Sequence, residues 1–85
     1  MTELSLHDRK VIYRARRGLK ELDLYFDPYV REQYVTDTAE HKAAFGRLIE
    51  EEDPDLLDWF TAVTVPTDPE LQMIVQYLKS LRHNP

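Results

Sequence analysis

An all-α fold, a compact bundle of five short helices, is predicted by three features of this sequence. Apolar residues recur at three- and four-residue spacing in successive segments, and two Asp-Pro pairs mark helix starts. Only Val63-Thr64-Val65 has the look of a strand, and no second run exists for it to pair with.

The elements follow in order. Ser5 with Asp8 forms a variant capping box, because a serine oxygen can accept from a free amide of the first helical turn. Arg14, Arg16 and Arg17 lie where a helix C-terminus favours positive charge. Gly18 lacks the Cβ that clashes in the left-handed position closing many helices, so the first helix is placed at roughly 5–17. The second starts at about Leu19 and carries Leu19, Leu22, Phe26, Tyr29 and Val30 on one face. Pro28 removes a backbone donor inside that face, which predicts a kink or a break near Asp27. The apolar rhythm crosses the proline in phase, and this favours the kink. Asp37 or Thr38 opens the third helix, with Ala39, Ala43, Ala44, Phe45, Leu48 and Ile49. Asp53-Pro54 and Asp68-Pro69 each read as a capping carboxylate followed by proline at the first helical position. They open a fourth helix (Leu56, Leu57, Trp59, Phe60, Val63) and a fifth, whose stripe is Leu71, Ile74, Val75, Leu78 and Leu81.

The 85 residues suffice for one domain spanning 1–85. A chain this short buries only about 60–65% of the surface its unfolded form exposes, so its core is thin and its outer surface is the natural place for function. Without cysteine there is no disulfide, thiolate metal site or cysteine nucleophile. Residues 1–8 have no basic start leading into an apolar run, and no segment approaches the ~18 apolar residues of a membrane span. A cytoplasmic setting without membrane insertion is expected.

Net charge is −5, unevenly spread. Residues 9–20 carry six basic side chains and no acidic one, whereas the other 73 residues hold five basic and sixteen acidic groups. Nucleic-acid binding calls for a broad positive face, so this balance argues against it and suits a protein partner.

No constellation for catalysis stands out. His7, His41 and His83 are far apart, fall in no ligand pattern and are read as solvated surface residues. The run Glu50-Glu51-Glu52-Asp53 lacks the alternating oxygen ligands and turn glycine of a calcium loop and reads as a solvated helix junction. Ser5 and Ser80 have no nucleophile elbow, and two glycines cannot build a phosphate loop. Gly46 is read as a close helix–helix contact, and Trp59 and Phe60 as core anchors.

There remains Arg16-Arg17-Gly18-Leu19-Lys20-Glu21-Leu22-Asp23. Two readings stand side by side: a helical junction with ordinary surface charges, or a convex corner from which Arg17 and Glu21 project beside a bare glycine. In the second, the guanidinium offers a planar fork of donors, the carboxylate an acceptor, and Gly18 a close backbone approach.

The segment Tyr13-Arg14-Ala15-Arg16-Arg17-Gly18-Leu19-Lys20-Glu21-Leu22-Asp23 resembles the signature of the bacterial SdhE family, also called YgfY and once labelled the antitoxin CptB, whose hallmark is Arg-Gly-x-x-Glu. Leu48-Ile49-Glu50-Glu51-Glu52-Asp53-Pro54-Asp55-Leu56-Leu57-Asp58-Trp59 is similar to that family's second block. The resemblance covers nearly the whole chain. It implies a non-enzymatic assembly factor that binds the flavoprotein subunit of succinate dehydrogenase, and also that of the related fumarate reductase. It further implies promotion of the covalent bond between a histidine of that subunit and the 8α carbon of FAD. The cofactor would belong to the partner, and none to this chain. Partner contact carries over to Arg17, Gly18 and Glu21, with Arg16 and Asp23 adjacent. Ala15 stands where some members have cysteine, which leaves the motif intact and gives a thiol role no residue here. The alternatives are an antitoxin-like regulator touching a protein or nucleic acid through residues 9–20, and a flavin transferase, which neither a phosphate loop nor a deep pocket supports.

Overall fold

A computed structural model describes residues 4–81. Its helices are α1 (Leu6–Arg14), α2 (Lys20–Glu32), α3 (Ala39–Leu48), α4 (Asp53–Phe60) and α5 (Pro69–Leu81), with one 3-10 turn at Tyr34–Thr36. The all-α expectation holds.

Capping explains most of the starts. Ser5 Oγ accepts from the Asp8 amide at 3.0 Å, and Thr38 Oγ1 from the His41 amide at 3.1 Å. Asp68 Oδ1 accepts from the amides of Glu70 (2.8 Å) and Leu71 (3.3 Å), as its sequence position predicts. At α4 the expectation fails by one place. Glu52 is the cap residue, and Asp53 and Pro54 are already helical. The Asp53 carboxylate makes no cap bond to its own helix and lies instead beside Arg17, Oδ1 standing 3.6 Å from Nε.

α2 runs unbroken through Pro28, so the chain does not break there. Leu22, Phe26 and Tyr29 on its inner face are all buried, and that continuous burial outweighs one lost backbone bond. The first helix, in contrast, ends at Arg14, three residues earlier than expected. α4 closes in a Schellman arrangement: Ala62 takes the left-handed position at φ 66°, and the Val63 amide reaches back to the Asp58 carbonyl at 2.8 Å. The helix thus ends short of Val63, which was expected on its apolar face; Val63 and Val65 lie exposed in the loop that follows and, as expected, form no strand.

The core is aromatic at its centre. Phe26 meets Phe45 and Phe60 edge to face at 5.6 and 5.5 Å, and Tyr29 packs on Phe45 at 4.8 Å. Leu22, Leu48, Leu56, Ile74, Val75 and Leu78 are among the aliphatic residues packed around it. Each such side chain contributes about 1.5–3 kcal/mol on burial. Phe60 is a core anchor as expected, and Trp59 packs half-buried against the same cluster. Gly46 faces α1, but a Cβ there would stand 3.9 Å from Val11 Cγ2, so the approach leaves room for a methyl group.

Two buried phenols tie the 3-10 turn and α2 to carboxylates. Tyr29 donates to Asp37 at 2.8 Å and Tyr34 to Asp8 at 3.0 Å. Burial, then the carboxylate beside each, pushes both phenols well above their ordinary pKa. His41 is not a solvated surface residue. Its ring stacks on Tyr77 at 3.8 Å, and its Nδ1 lies 2.9 Å from Asp37 Oδ1. His7 is exposed, and His83 lies outside the described residues.

Candidate functional site

The connection between α1 and α2 forms a corner, and its shape comes from two inward anchors. Ala15, the cap residue of α1, is 1% exposed, so the chain dips to the core just as the helix ends. Two residues later Arg17 turns inward as well. Between these anchors and α2 the backbone must reverse, and Gly18 does so at φ +74°. A Cβ placed on Gly18 would meet nothing within 4 Å. The glycine is thus required by its backbone angle, and the space outside it is open.

Arg17 corrects the outward projection expected of it. Its side chain is only 19% exposed. The guanidinium donates to the carbonyl of Ile49, the cap residue of α3, and to the Glu51 carbonyl at 3.2 Å. Its Nε stands 3.6 Å from Asp53 Oδ1. The physical cause is the α3–α4 turn, which collects carbonyls at a helix C-terminus, where positive charge is favoured, together with a carboxylate at the next helix start. Arg14 pairs with Glu50 of the same turn. The acidic run is therefore a receiver for two arginines rather than only a solvated junction.

The other expected residues lie outward to different degrees. Arg16, Gly18 and Glu21 are exposed. Glu21 sits in the first turn of α2, where the helix dipole favours its negative charge. Asp23 is half-buried, and its Oδ1 is out of water with no hydrogen-bond partner. Shallow clefts of about 500 and 460 Å³ flank Gly18, and Asp23, Asp27 and Arg31 line both. The sequence does hold a signal for Asp27 and Arg31: with Asp23 they recur every fourth residue, one face of α2. The corner thus offers an open backbone, a carboxylate and a guanidinium at its edge, and a mixed-charge face of α2 beside it.

Among the described residues no group of three His, Asp or Glu side chains is gathered to hold a metal, and no helix is long and apolar enough to cross a membrane.

Residues 9–82 match the model of a family described as flavinator of succinate dehydrogenase. Curated relatives bear the name FAD assembly factor SdhE. That of Acinetobacter baylyi is 58% identical over 81 residues, covering 95% of each chain. That of Psychrobacter arcticus is 47% identical over 89% of this chain and 82% of the relative. In Pseudomonas aeruginosa the figure is 36%, over 82% of this chain and 83% of the relative.

Proposed function

Since the chain belongs to the flavinator family of succinate dehydrogenase, alongside the FAD assembly factors, we propose that it docks on the flavoprotein subunit of that enzyme and promotes covalent attachment of FAD there. The bond-forming groups are the partner's histidine and its flavin, so this chain acts as a chaperone without catalytic residues or a cofactor of its own. Holding flavin and histidine in register can lower a barrier by several kcal/mol without adding a chemical group. The action takes place in the cytoplasm, and the related flavoprotein of fumarate reductase is a second client.

The observation that carries this reading is the exposed Gly18–Glu21 corner, with Arg16 and Asp23 on either side and open space over the glycine. Nucleic acid is a poor fit for the same region, because Arg14 and Arg17 are already engaged by Glu50 and Asp53. Glu21 is exposed and makes no core contact, so Glu21→Ala is expected to fold as the wild type does. In a reconstitution of apo-flavoprotein, FAD and this chain, followed by in-gel flavin fluorescence, that variant should slow attachment about tenfold or more. A well-folded Glu21→Ala protein that supports attachment at the wild-type rate would sink the reading.

A further inference from the structure

Arg17 immediately precedes Gly18, so whatever fixes its guanidinium also fixes where the corner stands. Two carbonyls and one carboxylate do so: Ile49, Glu51 and Asp53. Of these only Asp53 bears a charge. Arg17 Nε and Asp53 Oδ1 are both withdrawn from water, and neither has a hydrogen-bond partner. Across 3.6 Å each is the compensation of the other. The Asp53 side chain as a whole is 40% exposed and Arg17's only 19%, so losing the carboxylate leaves Arg17 with two neutral carbonyls and no charged partner on its sheltered side.

We infer that Asp53, at the start of α4, is a positioning residue for partner binding: through Arg17 it holds the Gly18–Glu21 corner against the α3–α4 turn. This rests on the docking role proposed above and extends it to a residue on a different element. Asp53 need not touch the partner. Without its carboxylate, Arg17 loses the charged part of its anchorage, the segment before Gly18 loosens, and the corner must be ordered at the moment of docking.

The test is a double-mutant cycle of Arg17→Ala and Asp53→Asn. Affinity for purified flavoprotein subunit is measured and corrected to the folded fraction from urea titrations. Each single change should weaken binding about tenfold per folded molecule, and the double variant should bind no worse than the weaker single one. Asp53→Glu, which keeps a carboxylate at the helix start, should restore binding to within about twofold of wild type. A merely structural role predicts lowered stability with unchanged affinity per folded molecule, and that result would overturn the inference. So would Asp53→Asn binding normally while Arg17→Ala does not, since Arg17 would then be a direct contact. If Asp53→Asn fails to fold, an Asp53→Glu protein that folds but binds poorly overturns the inference equally. Glu21→Ala serves as the control. Should it bind normally, the docking corner itself is wrong; should it bind poorly while Asp53→Asn binds well, only the positioning role is lost.

Discussion

The two glycines do opposite things, and substitution separates them. Gly18 sits at φ +74° in open space, so Gly18→Ala meets no clash yet must adopt a left-handed backbone, at a cost of about 1–2 kcal/mol. Gly46 lies inside α3 with an ordinary helical backbone and 3.9 Å of clearance to Val11, so Gly46→Ala should stabilise the protein by about 0.5–1 kcal/mol. Urea titrations of both variants check the contrast, and equal signs would contradict it. Arg17 is the residue at which sequence reasoning went furthest astray. Nothing in Arg-Gly-x-x-Glu says which way a side chain turns. The acceptors that draw it inward are two carbonyls and a carboxylate on a turn more than thirty residues away in sequence.

At the level of elements, every helix was legible: three starts carry a side-chain cap, whereas α2, which begins after an uncapped Leu19, was read from its apolar rhythm. Ser5, Thr38 and Asp68 cap as their types and positions suggest. Ends were harder. Helix α1 stops at Arg14 because Ala15 is drawn to the core and Arg17 to the α3–α4 turn, both tertiary demands absent from local sequence. Helix α4 closes on Ala62 in the left-handed region, where composition points to glycine instead. Asp53 carries a third such surprise: a residue read as a cap proves to be the first helical residue, facing an arginine from another element. Within the candidate site, Gly18 and Glu21 were legible as exposed corner residues, and Arg16 only as a neighbour of the family motif. Asp27 and Arg31 were in plain view as a four-residue repeat with Asp23 but carried no motif to single them out.

For the molecule as a whole, acid is the condition that should loosen it. Burial alone would raise the carboxyls of Asp8 and Asp37. Hydrogen bonds from Tyr34 and Lys42 to Asp8, and from His41, the Thr38 amide and Tyr29 to Asp37, outweigh burial and leave both below the ordinary value. A carboxyl held lower in the folded chain than in the unfolded one binds protons more readily after unfolding. Its contribution is therefore complete above the unfolded pKa, about 4, and disappears as pH falls through the folded one. The urea midpoint should hold from neutral pH down to about pH 5 and drop steeply below about pH 4. In Asp37→Asn the drop should be shallower, and an unchanged acid profile in that variant would show that Asp37 is not among its causes.

Amide hydrogen exchange on this chain, alone and bound to the flavoprotein subunit, tests most directly where the protein meets its client. Docking through the α1–α2 corner predicts that protection gained on binding centres on residues 16–24 and extends along the α2 face of Asp27 and Arg31. Protection confined elsewhere, such as the exposed Val63–Val65 loop, with residues 16–24 exchanging as in the free chain, would contradict it.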